Sequence, residues 1–573
     1  MTLLDWIVLG ATLLVIVVYG TWQTRSSNDM KGYLLGNREA RWFTVALSIM
    51  ATQASAITFL SAPGQAYIDG MRFVQFYFGL PLAMVVLSIT VVPIYHRLNV
   101  YTAYEFLEKR FDLKTRLVAA ILFLTQRGLA AGFTIFAPSL IFSSLLGWDI
   151  TITNIVIGVL VITYTVAGGT KAVNQTQKYQ MAIILLGMLV AGVMVVVLMP
   201  PQVSFTDAMY FAGKMGRLNA VELDFDLSSR YNIWSGLIGG LFLALSYFGT
   251  DQSQVQRYLS GSSVTQSRLG LLFNAMVKIP MQFAILFIGA MVYVFYFFNQ
   301  PPVFFNKVLV EDTRQSAYAE EFQQVQEEYS QAFFLKKNLA LELATELDNG
   351  ESALAEEKMN ALVAAEQRTQ ELRESARLLI EQANPDADTN DTNYIFLTFV
   401  INYLPAGLVG LLIAVIFSAS MSSTSSELNA LASTSIVDIY KRVIKKDGSE
   451  QWYVLASKFI TVFWGLYAIV FSLYANRLGT LIEAVNILGS LVYGTILGIF
   501  MVAFYFKRVG SNAVFIAAIV TEVLIIYCWV AEVVPYLWFN VIGCLGVIIF
   551  ALLLQLFIGQ EPRIEQDIAE EIE

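Results

Sequence analysis

Apolar residues in this chain fall in long runs, not in the alternation of strands or the narrow stripes of soluble helices. Met181 to Met199 and Val533 to Ile558 hold no charge over the roughly 17–25 residues that a bilayer crossing takes. Lipid offers the backbone no partners, so such runs must be helices. Their spacing predicts about thirteen spans, at 4–24, 42–68, 72–95, 115–146, 149–167, 179–199, 233–255, 268–298, 394–437, 452–475, 478–505, 513–532 and 536–557. The basic residues of the short loops, Arg97, Lys109, Arg110, Lys171, Lys178, Arg257, Lys441, Arg442, Lys507 and Arg508 among them, gather on one side, which is cytoplasmic by the positive-inside rule. An odd number of spans then puts the N-terminus outside the cell (inner) membrane and the C-terminus in the cytoplasm.

The long polar interval 299–393 falls on the outer side and interrupts the apolar pattern. It is rich in Ala, Glu, Gln and Leu over 314–347 and 352–383, with Asn349-Gly350 as a break. Phe322, Val325, Tyr329 and Phe333 in the first stretch, and Leu354, Leu362, Leu372 and Leu379 in the second, mark apolar seams. A helical hairpin outside the membrane follows. A solvated appendage is its plainer reading, and contact with a periplasmic protein the sharper one. The chain thus divides into a membrane part at 1–298, the insert at 299–393, a second membrane part at 394–559 and an acidic tail at 560–573.

Composition agrees, with 56% hydrophobic and only 14% charged residues in 573. A single histidine, His96, and two cysteines in apolar runs, Cys528 and Cys544, leave no disulfide framework and no zinc or His-based nucleophilic chemistry. The chain reads as no enzyme and no nucleic-acid binder. Its lipid is the bilayer, and its chemistry must sit among polar residues inside spans, where they are costly.

Two polar clusters stand out: Ala51 to Thr58 with Ser61, and Ser418 to Ser426, which holds seven hydroxyls in nine positions. Hydroxyls together with carbonyls freed from an interrupted helix are hard ligands suited to a sodium ion; packing of small residues at a helix interface is the plainer reading. Arg127 and Lys278 are cations within spans. Each either snorkels to an interface or faces a cavity, where Arg127 suits a carboxylate-bearing solute.

Four stretches, in this order, carry a resemblance: VPIY at 92–95 with YTAYEFLEKRF at 101–111, AGGTKAV at 167–173, GTDQSQVQRYL at 249–259 and FSASMSSTSSELNA at 417–430. The chain resembles the sodium:solute symporter family of sodium/sugar, sodium/sialic acid, sodium/iodide and sodium/vitamin cotransporters. That resemblance implies an all-α polytopic membrane protein with a LeuT-like core of two five-helix inverted repeats, the first at 42–199 and the second starting at 233–298. It implies alternating-access symport of a small organic solute, anionic or sugar-like, with sodium; a solute receptor without net transport is the alternative. By position, the sodium ligands are Ala51, Ala54, Ala419, Ser422 and Ser423, and the solute is met by Gln53, Thr58, Tyr77, Arg127, Tyr247, Lys278 and Asn486. Gln177 stands where members with a second sodium carry an aspartate, although Ser425 and Ser426 are kept, so one Na+ per cycle is expected. Tyr77 and Asn486 stand where sugar carriers have Glu and Gln, which weighs against a hexose.

Overall fold

A computed structural model describes residues 1–23, 30–349, 352–385, 387–475 and 481–558. The acidic tail expected at 560–573 lies outside them. Among the described residues the chain is helical, with one isolated bridge between Ala40 and Gly261 and no strand. Nine helical stretches are long and apolar enough to cross a membrane, and Leu3–Val15, Ile150–Thr163 and Ser235–Gly249 are shorter apolar helices. The stretches expected to span are mostly helical in the parts described, with interruptions inside those at 42–68, 72–95, 233–255 and 394–437.

The first helix, α1 (Leu3–Gln23), is followed by α2 (Trp42–Gln53) and α3 (Ala56–Asp69). The span expected at 42–68 is therefore broken. Ala54 (ψ 72°) and Ser55 (ψ 170°) leave the helical region between two runs of small residues. A second break mirrors it: α6 (Gly240–Gly249), entered through a π-helical turn at Ser235–Gly239, stops at Thr250, and α7 (Gln252–Leu259) resumes after Asp251. Each break frees carbonyls and N–H groups that an intact helix would consume.

Between the breaks run α4 (Leu113–Leu146) and α5 (Ile150–Val197). The latter merges the spans expected at 149–167 and 179–199 into one 48-residue helix. At 1.5 Å per residue that is about 72 Å, more than twice the hydrocarbon thickness, so it holds two spans' worth of helix with Lys171 and Lys178 near the middle. After α7 comes α8 (Val264–Phe298), packed against both halves of the first broken helix. Gly289 permits the approach, because a Cβ there would lie 2.1 Å from the Pro63 carbonyl oxygen.

The insert holds two packed helices, α9 (Ala319–Asn349) and α10 (Ser352–Ala383), whose seam buries Phe322, Tyr329, Phe333, Leu362 and Leu372. It is stapled to the membrane part. Glu366 accepts from the Tyr293 hydroxyl of α8 at 2.9 Å and from Lys336 Nζ at 2.9 Å, while Lys336 lies over Phe297. Burial opposes the charge of Glu366, yet Lys336, with Gln370 and Tyr293, holds its carboxyl below the ordinary range.

The span expected at 394–437 is divided as well. In place of 394–437 there are α11 (Thr392–Tyr403) and α12 (Leu408–Thr434), the second continuing as π-helix over Ser435–Ile444. Pro405-Ala406-Gly407 separates them, and Gly407 sits at φ 89°, where a side chain would strain. Asp5 of α1 caps the start of α12, accepting from the Gly407 and Gly410 amides at 2.6 and 3.2 Å. The chain closes with Glu450–Ser472, α13 (Leu481–Tyr505), Ser511–Val530 and Leu537–Phe557.

Candidate functional site

Breaking α2 at Gln53 leaves its last carbonyls pointing at α12, which presents its hydroxyl run there. Ser422 Oγ donates to the Ala51 carbonyl at 3.1 Å, and the Thr52 and Ser426 hydroxyls lie 3.0 Å apart. Ser423 Oγ donates at 3.1 Å to the Ala419 carbonyl one turn back. Ala51, Ala54, Ala419, Ser422 and Ser423 are all buried. The two helices thus meet through small oxygen-bearing groups, with no carboxylate hydrogen-bonded to them among the described residues, a donor set suited to a desolvated monovalent cation.

Gln177 of α5 enters the same junction. Its Nε2 donates towards Thr52 Oγ1 (3.1 Å), Ser422 Oγ (3.0 Å), Ser422 O (3.3 Å) and Ser426 Oγ (2.9 Å), and its Oε1 accepts from Ser48 at 2.5 Å. A neutral amide N–H2 occupies a nest of four oxygens on α2 and α12.

Six of the seven solute candidates, Gln53, Thr58, Tyr77, Arg127, Tyr247 and Asn486, line one cavity of about 110 Å³ beside the two breaks. The seventh, Lys278, stands behind this wall. It is fully buried, its Nζ lies 5.2 Å from the centroid of the Tyr77 ring, and that Nζ has no hydrogen-bond acceptor among the described residues.

Arg127, by contrast, is already matched. Its guanidinium pairs with Asp251 at the second break, with Glu427 Oε1 at 3.1 Å, and with the Tyr493 hydroxyl at 2.5 Å. Thr134 Oγ1 donates to the other Glu427 oxygen at 3.0 Å, and the Tyr493 hydroxyl donates to Asp251 at 2.8 Å. Removing one partner from such a buried ion pair costs about 3–5 kcal/mol. Asp251, Glu427, Tyr493 and Thr134 are the site residues that sequence reasoning left out. The signal for the two acids was their charge inside apolar surroundings, which requires a partner.

The profile of the sodium:solute symporter family matches residues 33–345 and 380–521. The human sodium/iodide cotransporter is 32% identical over 301 residues, 51% of this chain and 45% of that protein. The mouse sodium-coupled monocarboxylate transporter 1 is 27% identical over 501 residues, 87% of this chain and 68% of that protein. The chain therefore spans from about half to two-thirds of the length of these relatives. A substrate-bound, outward-open sodium-coupled sialic acid symporter shares the fold, with a TM-score of 0.74 at 20% identity over 98% of this chain and 100% of the other. The paired broken helices are thus those of a LeuT-like inverted-repeat core, and this multi-pass membrane protein belongs to the sodium:solute symporter family.

Proposed function

We propose that the chain is a symporter that carries one sodium ion with one small anionic solute into the cell by alternating access, and is not a receptor or an enzyme. The observation that carries the solute class is Lys278, whose fully buried Nζ has no hydrogen-bond acceptor among the described residues. Burying a charge is costly unless it is paired. A carboxylate or halide entering beside Tyr77 supplies the missing partner, and the compact cavity suits it better than a hexose. Iodide and monocarboxylates are the cargoes of the relatives above.

Formal charge supports the same pairing. Arg127 and Lys278 bring two positive charges, Asp251 and Glu427 two negative ones. This neutral set becomes cationic when sodium binds and returns to neutrality with a monoanion, which gives each ligand a reason to favour the other. Sodium sits between the Ala51 and Ala54 carbonyls and the Ala419, Ser422 and Ser423 oxygens, bridging the first broken helix to α12. Gln177 argues for a single ion, since its amide already engages the Thr52 and Ser426 hydroxyls beside that site. Gln53, Thr58, Tyr247 and Asn486 shape the solute site, with Arg127 as its braced wall.

We place the protein in the cell (inner) membrane with the N-terminus and the hairpin outside and the C-terminus in the cytoplasm, on the charge of the loops. The outer faces of α9 and α10 are then open to a periplasmic partner. The test is thermal stability of the purified protein in sodium or potassium with halides, monocarboxylates, sialic acid and hexoses. A monoanion that stabilises only in sodium, and no longer in Lys278→Met, supports the reading. Stabilisation by a hexose with Lys278→Met unaffected would overturn it.

A further inference from the structure

Outside the transport site, the loop that leads from the end of α10 to α11 borders a second cavity, of about 240 Å³. It is walled by Phe136 and Leu140 of α4, Leu481 of α13, and Tyr394 of α11. Five side chains with amide or carboxylate oxygens also line it: Asn306, Asn384, Asp388, Asn390 and Asn393. Three are fixed by local turns. Asp388 Oδ1 accepts from the Asn390 amide at 2.9 Å, Asn390 Oδ1 from the Thr392 amide at 3.0 Å, and Asn306 Oδ1 from the Val308 amide at 3.1 Å.

Asn393 differs. It is 4% exposed, and its Oδ1 has no hydrogen-bond donor among the described residues. A buried oxygen left in this way calls for a ligand. The charges near Asp388 do not serve. Asp391, a second carboxylate, is held by Arg373 at 3.1 Å, and Arg377 is engaged by Glu374, Glu381 and Thr389 beside the neighbouring cleft.

The polar part of the lining offers oxygens and carries no nitrogen-ring or sulfur ligand, which argues against the soft and borderline metals. Carbonyl, amide and carboxylate oxygens on a bent loop are the ligands of calcium, whereas magnesium demands a stricter octahedron and gives up its water reluctantly. Among the described residues no three His, Cys, Asp or Glu converge. With one carboxylate, affinity belongs in the range of extracellular modules, about 0.1–1 mM.

We propose that this cavity is a calcium site on the outer face, which ties the loop after α10 to Asn306 and to the start of α11 at Asn393. The inference rests on the outward placement of the hairpin and not on the identity of the solute. Tyr394 in the cavity wall makes it testable, because a tyrosine sensitises terbium luminescence. Purified full-length protein in detergent is titrated with terbium, then with calcium, magnesium and sodium as competitors. Saturable luminescence displaced by millimolar or lower calcium, with magnesium and sodium weaker, is expected. Asp388→Asn is expected to weaken binding about tenfold or more, and Asn393→Asp, which adds a carboxylate, to tighten it. Sodium-dependent solute stabilisation should persist in both variants, which separates this site from the transport reading. Luminescence that is absent, unchanged in both variants, or displaced equally well by sodium would overturn the calcium site.

Discussion

Replacing Gln177 with aspartate tests the count of coupling ions. The amide nitrogen lies 2.9–3.1 Å from the hydroxyls of Thr52, Ser422 and Ser426, where it stands in for a cation. Aspartate is one methylene shorter and anionic, so it vacates that position and leaves a buried carboxylate facing three hydroxyls. An uncompensated buried charge is costly, and sodium is the abundant partner. Under the proposed stoichiometry, one sodium and one monoanion move together in the wild type without net charge. A tenfold sodium gradient then supplies about 1.4 kcal/mol, enough for about tenfold accumulation. With a second sodium the gradient contributes about 2.7 kcal/mol, and the net charge adds about 2.3 kcal/mol at 100 mV. Together these permit an accumulation on the order of several thousand-fold. The assay is the ratio of radiolabelled sodium to solute taken up by proteoliposomes, with and without a potassium diffusion potential. A ratio of one rising to two, with voltage sensitivity appearing only in Gln177→Asp, is expected. A wild-type ratio of two would refute the reasoning about the amide, whereas a ratio of one with voltage-driven uptake would keep the single ion and refute the anion.

Other outcomes follow from the same geometry. Lys278→Met should leave sodium-dependent stabilisation in place while solute affinity falls by about 1.5–3 kcal/mol, or about 10- to 150-fold, in direct binding. Asp251→Ala leaves Arg127 with a single carboxylate and should destabilise by about 3–5 kcal/mol, read as a lowered unfolding temperature, with Asp251→Asn milder. Glu366 has a folded pKa below its unfolded one, so its contribution to hairpin docking is complete above about pH 4.3 and is lost as pH falls through the lower, folded value. Amide exchange over 319–383 should accelerate in that acid window and become insensitive to it in Glu366→Gln.

The spans, the hairpin and the oxygen-rich meeting of α2 with α12 were legible because they are local patterns: charge-free runs, helix-forming stretches, seven hydroxyls in nine positions. A cluster of small polar residues at 51–58 was visible, and the first break falls inside it. The division of 394–437 was harder to see, since the Pro405-Ala406-Gly407 turn lies inside an otherwise apolar stretch and is stabilised by Asp5, about 400 residues earlier in the chain. Distance along the chain also hid the fate of Arg127. Its carboxylate partners are 124 and 300 residues away, and only the closed fold shows that its charge is matched while that of Lys278 is not.

The most direct test of coupling is solute binding to purified wild type and to Ser422→Ala and Ser423→Ala, titrated with sodium at fixed solute. Wild type should show a sodium dependence with a Hill coefficient near one. In both variants the curve should shift to higher sodium, with solute affinity at saturating sodium nearly kept. Solute binding that is equally tight in potassium, or a sodium curve unmoved by both substitutions, would contradict a sodium ion bridging the first broken helix to α12.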